Sequence, residues 1–202
     1  MKIQRVASWS GMLGTLLFTL SFTVNGLFSP GYSPVRMYVS ELSIGSTGWI
    51  QIASFMVLGA ALFLFALGLR SAFPSRAGFV LFSIIGISYF LSGPFVTDPA
   101  AMFDNQQTPH GIIHGIFGAL VFSLSAAACF VFWRRFRKDE KWKPLSALSL
   151  ICGTVMAVLI VLMKIGQLQT GLLSDYAGVV QRFCLIASYV WIFAVSVKIR
   201  YR

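Results

Sequence analysis

Two histidines, His110 and His114, stand four residues apart directly after Pro109, at the head of an apolar run. On a helix that spacing sets both imidazoles on one face, one turn apart. They are the only histidines in the chain, and their stretch, Thr97 to Gly118, also holds Asp98 and Asp104. Histidine nitrogens with the carboxylates of Asp98 and Glu41 make a chemically adequate donor set for a divalent metal such as zinc, whose catalytic sites keep one position open for water. Gly111, Ile112 and Ile113 fill the interval, so the general-base glutamate of the HExxH metalloprotease pattern is absent. Haem is disfavoured as a cofactor: two axial histidines approach the iron from opposite faces, and neighbours on one helix cannot. The structural alternative is that the histidines cap a helix, hydrogen-bond to Asp98 or Glu41 and hold two segments together.

The elements that must position these residues read as membrane spans. Apolar residues make up 57% of the 202 residues, charged residues only 11%, and mean hydropathy is +0.80. A soluble domain is nearer a quarter charged. The apolar residues fall in runs of about twenty, the length that crosses roughly 30 Å of hydrocarbon. The expected fold is therefore all-α: one polytopic membrane domain, a bundle of six transmembrane helices at about 9–28, 48–69, 78–96, 110–133, 145–166 and 177–197. Trp9–Phe28 is long enough to span, and Thr23-Val24-Asn25-Gly26 is a poor cleavage site, so the first run reads as a retained span rather than a signal peptide. Pro94 is expected to kink or end the third span. Ser33-Pro34 offers a helix start, and Val35, Tyr38, Val39 and Leu42 recur at helical spacing. Pro34–Leu42 thus reads as a short interfacial helix between spans one and two, apolar face down.

Charge sets the expected topology. The N-terminal tail, the 70–76 turn, the 134–143 loop and the C-terminal tail hold thirteen basic and two acidic residues. The other side holds Arg36, Lys164 and Arg182 against Glu41, Asp98, Asp104 and Asp175. The positive-inside bias places both termini in the cytoplasm of a multi-pass cell-membrane protein. It also accounts for the net charge of +10 without nucleic acid as a partner. Cys129, Cys152 and Cys184 lie inside apolar runs without CxxC spacing and read as small buried hydrophobes. Gly111, Gly115 and Gly118 form a small-residue stripe suited to close helix packing inside the bundle, or to an oligomer contact.

The same census gathers ionisable residues from several segments at one face. Charge within a span usually turns to the protein interior and pairs. The leading functional reading is a pocket for a small molecule or lipid headgroup, lined by Arg36, Glu41, Asp98, His110, His114, Gln181 and Arg182, with membrane lipids as partners. The alternative is a metal-dependent membrane hydrolase using His110 and His114 with Asp98 or Glu41. A second alternative, a small transporter, lacks ionisable residues in the inner halves of the spans. Lys164 and Arg182 also fit snorkelling or a structural ion pair. Whether the protein is an enzyme is left open by these residues.

The motifs Tyr32-Ser33-Pro34-Val35-Arg36, Ser40-Glu41-Leu42, Phe95-Val96-Thr97-Asp98-Pro99, His110-Gly111-Ile112-Ile113-His114 and Gly178-Val179-Val180-Gln181-Arg182 occur in that order. Together they resemble the domain of unknown function 998 family of prokaryotic membrane proteins, over nearly the whole chain. The resemblance implies a six-span bundle and no known activity. Its signature residues match the polar set found from charge placement. Membrane hydrolases of the alkaline ceramidase and progestin-adiponectin-receptor type are similar in ligand chemistry, but they have seven spans and a third histidine ligand that this chain lacks.

Overall fold

A computed structural model describes residues 2–100, 107–168 and 172–201. Asp104, one of the acids counted above, lies outside them. Every regular element among the described residues is helical, with no strand. The helices are α1 (Lys2–Phe28), α2 (Gly48–Ala72), α3 (Arg76–Leu91), α4 (Pro109–Phe136), α5 (Ser146–Leu168), the single turn α6 (Leu172–Asp175) and α7 (Ala177–Arg200). Five of them, α1, α2, α4, α5 and α7, are long and apolar enough to cross a membrane. Large side chains such as Leu16, Leu20, Ile151 and Val158 are exposed on α1 and α5, as expected of surfaces that face hydrocarbon rather than water. The chain is a multi-pass membrane protein.

The six long helices pack in chain order as a closed ring: α1 on α2, α2 on α3, α3 on α4, α4 on α5, α5 on α7, and α7 back on α1. Neighbours run antiparallel, as the closeness of Gly68 to Ala7 and of Gly14 to Ala61 shows for α1 and α2. One end of the ring therefore carries both termini and the basic loops. The other carries the described residues of the three longer connections, 29–47, 92–100 with 107–108, and 172–176.

The third expected span differs from its reading as 78–96. Helix α3 starts earlier, because the Ser75 hydroxyl accepts from the Gly78 N–H (3.0 Å) as an N-cap. It ends at Leu91, after 16 residues, short of the ~20 that span a bilayer. Pro94 is the cause. It has no N–H for the Phe90 carbonyl, and its ring pushes Gly93 off the helical path. The chain continues as non-helical backbone and becomes buried at Thr97 and Asp98.

The interfacial helix expected at Pro34–Leu42 is not formed. Residues 34–36 make a turn, and Val39–Ser43 form a 3-10 helix whose Val39, Glu41, Leu42 and Ser43 are buried. The apolar periodicity was real, but its partners are protein: the segment packs on α1, α2 and α7.

The end bearing the termini is filled by aromatics. Phe82 stacks on Trp191 (5.5 Å) and Phe136 on Trp142 (4.9 Å), with Phe73 and Phe132 against them. Trp142, from the basic loop, folds back and is fully buried. The Trp191 indole N–H donates to the Ser149 hydroxyl at 2.8 Å. Cys129, Cys152 and Cys184 are free and buried, as their surroundings in sequence suggested.

Helices α2 and α3 meet closest at Gly59 and Gly86. A Cβ on Gly59 would come within 2.5 Å of the Gly86 carbonyl oxygen, and one on Gly86 within 2.9 Å of the Gly59 oxygen. Gly118 on α4 has nothing within 4 Å of the corresponding point. Gly59→Val is therefore expected to destabilise the protein by about 1–3 kcal/mol through forced helix separation, while Gly118→Ala is neutral or slightly stabilising. Thermal unfolding of both variants in one detergent checks the contrast, and equal melting points would contradict the close approach.

Candidate functional site

The non-helical backbone at the loop end must have its polar groups satisfied inside the protein, and the buried polar side chains do this. The Glu41 carboxylate accepts from its neighbour Tyr38 N–H (2.8 Å, Oε1) and from Ala100 N–H (3.1 Å, Oε2), joining the 29–47 and 92–108 connections. Asp98 accepts from the Thr108 N–H (2.7 Å, Oδ2) and hydroxyl (2.9 Å, Oδ1). Thr108 in turn caps α4 by accepting from Gly111 N–H at 3.1 Å, and the helix N-terminus favours the nearby carboxylate. Gly111 is required there, because a Cβ would overlap the Asp98 carboxylate.

On α7, Gln181 Oε1 accepts from the Val39 N–H at 2.7 Å. Arg182 Nη1 donates to the carbonyls of Pro34 (2.6 Å), Met37 (3.1 Å) and Gly178 (3.0 Å), and Nη2 to the Tyr32 hydroxyl. Its guanidinium also lies over the Phe22 and Tyr32 rings. The Tyr32 hydroxyl in turn donates to the Tyr38 carbonyl (3.0 Å). Burial pushes the Tyr32 phenol above its ordinary pKa, against the lowering pull of Arg182, so it remains a donor. His114 is buried and its Nδ1 lies 2.7 Å from the Phe95 carbonyl oxygen. A carbonyl only accepts, so Nδ1 carries the hydrogen. The bond holds the chain just beyond the break in α3, and the imidazole packs edge-on against Phe55 (5.7 Å).

Two of the expected site residues are peripheral. His110 is exposed, its ring 5.4 Å from Phe95. Arg36 is exposed and pairs with Asp175 at 3.6 Å. The histidines share a helix face as their spacing required, but the protein's chain covers one and leaves the other outside.

A cavity of about 600 Å³ lies beneath these connections. Its floor is Phe18, Phe55 and Tyr89, which pack as one aromatic layer. One wall is α4 at Gly115, Gly118 and Ala119, and the facing wall is α5 at Ile160, Met163, Lys164 and Gln167. Gly115 and Gly118 have open space where a Cβ would stand. These two glycines therefore do not mediate helix packing inside the bundle, contrary to the expectation for the stripe; they widen the cavity.

The polar lining is concentrated near the connections. Lys164 Nζ donates to Gln167 Oε1 (3.2 Å), and Gln167 Nε2 donates to the Tyr38 hydroxyl (3.3 Å). Burial pushes the Tyr38 phenol upward as well. Of the seven residues expected to line a pocket, His114 and Gln181 do; Arg36, Glu41, Asp98, His110 and Arg182 do not. Lys164, Gln167 and Tyr38 were missing from that set. The signal for the first two was a Lys and a Gln three residues apart in an otherwise apolar run, which puts both on one helix face.

Among the described residues no three His, Cys, Asp or Glu side chains come together as a metal-binding group. The candidate donors are separately committed: Asp98 to Thr108, Glu41 to two backbone N–H groups, His114 Nδ1 to Phe95, with His110 outside.

The family model described as Protein of unknown function (DUF998) matches residues 12–198, and the chain belongs to that family. No curated protein and no solved structure matches the chain.

The Asp98–Thr108–Gly111 relay predicts non-additivity. Thr108→Ala removes a cap worth about 0.5–2 kcal/mol, and Asp98→Ala removes the group that orients it. The double variant should be less destabilised than the sum of the singles by roughly 0.5–3 kcal/mol. Unfolding free energies of the four proteins measure the coupling, and strict additivity would show that the carboxylate does not act through the cap.

Proposed function

We propose that this protein binds an amphiphilic small molecule of lipid size in the cavity between α4 and α5. The observation that carries the reading is the one-sided polarity of that cavity. Lys164, Gln167, Tyr38, Thr97, His114 and Gln181 lie toward the connections, while Phe18, Phe55, Tyr89, Val121, Met163 and Leu185 form the rest of the wall. Its size is within the roughly 300–1,000 Å³ usual for small-molecule sites. A molecule with one polar end and one apolar body matches both parts.

In this reading α3 and its extended continuation act as the sixth crossing. Non-helical backbone is tolerated at membrane depth where protein surrounds it or a cavity adjoins it, and both conditions are met near Thr97. The basic loops then place the termini in the cytoplasm, so the cavity faces the outer leaflet. The carboxylates Glu41 and Asp98 serve as braces for the connections that roof the cavity.

A monoacyl probe with a photoreactive diazirine in its chain tests the proposal. Crosslinks are expected on α4 between Gly115 and Phe122 and on α5 between Ile160 and Gln167. Gly118→Leu, whose side chain would enter the open space, should lower the yield about tenfold without lowering the melting point. Crosslinks confined to the lipid-facing surface of α1, or an unchanged yield in Gly118→Leu, would sink it.

A further inference from the structure

Lys164 is a cation at the loop end that has no carboxylate partner among the described residues. Arg36 pairs with Asp175, and Arg182 is held by three carbonyls, a phenol and two rings. Lys164 donates only to a neutral amide, Gln167, and among the described residues no carboxylate lies within ion-pair distance of it. The described acids at this end are engaged elsewhere: Glu41 and Asp98 by backbone and Thr108 donors, Asp175 by Arg36. Yet Lys164 lines the cavity, one turn from Ile160 on the apolar wall and one turn from Gln167. An ammonium beside apolar surface without a counter-charge favours an anion at that position.

We infer that the ligand is a single-chain amphiphile with an anionic head, a carboxylate or a phosphate, seated on Lys164. This rests on the cavity reading above and adds the charge of the head. Gln167, bonded to Tyr38, sets the lysine at the polar end, and the alkyl chain runs toward Phe18 and Phe55. Lysine supplies a compact point charge, which suits either head without demanding bidentate geometry. If Lys164 merely snorkelled to bulk headgroups, it would not affect what occupies the cavity.

The test is competition against the photoreactive monoacyl probe in the purified full chain, with hexadecanoate, hexadecyl phosphate and hexadecanol. The two anions are expected to displace the probe about tenfold or more better than the alcohol. Lys164→Gln should erase that preference, and Lys164→Arg should keep it. The ranking of hexadecanoate against hexadecyl phosphate tells which head is preferred. Equal displacement by all three compounds, or a preference that survives Lys164→Gln, overturns the anionic head and leaves the cavity reading standing. Displacement by none of them, with crosslinks outside the cavity, overturns both.

Discussion

Non-helical backbone inside a membrane protein has no water to satisfy it, and this constraint organises the loop end of the bundle. Residues 29–38, 92–99 and 107–108 leave N–H and C=O groups without helical partners, and an unsatisfied buried group costs several kcal/mol in hydrocarbon. Several buried polar side chains there answer that need. Glu41 serves two N–H groups, Asp98 and Gln181 one each, His114 a carbonyl and Arg182 three carbonyls. Charged donors and acceptors suit the task because their hydrogen bonds are about twice as strong as neutral ones. Residues that would suggest catalysis in a soluble enzyme here hold the fold together.

The two ends of the ring solve opposite problems. At the end bearing the termini, stacked Phe and Trp rings from α3, α4 and α7, with Phe73 beyond α2 and Trp142 from the basic loop, fill the interior. The connections at that end are short and need little bracing. At the other end Pro94 cuts α3 short, and the long connections form a roof over a space the helices do not fill. Small residues on α4 keep that space open: a larger side chain at Gly115 or Gly118 would occupy it.

The spans were legible in sequence because about twenty apolar residues in a row have few other uses. The helix starts were legible too, as Pro109 at the first helical turn and Trp49 near the head of α2 illustrate. The order of packing was not, since the lipid-facing and protein-facing sides of a span are both apolar. The same degeneracy misled the reading of Pro34–Leu42, where an apolar stripe can face lipid or protein equally well. Asp98, Glu41 and Arg182 were rightly placed at one end, but charge placement cannot distinguish a side chain that braces backbone from one that meets a ligand. That distinction depends on which backbone groups lack helical partners, a property of the fold rather than of residue type.

This distinction also identifies where function can reside. A buried polar atom already engaged by backbone cannot be given to a ligand without undoing the connection it braces. Glu41, Asp98 and Arg182 are therefore constrained by stability first. Lys164 stands differently. Its partner is a neutral amide, it borders open space, and no brace depends on its charge. The insertion cost of a lysine within a span, about 2.5–3.5 kcal/mol at the centre and less near the ends, is not offset by an ion pair with a described residue. Beside the cavity, a lysine with no carboxylate partner among the described residues is a feature that structural need alone leaves unexplained.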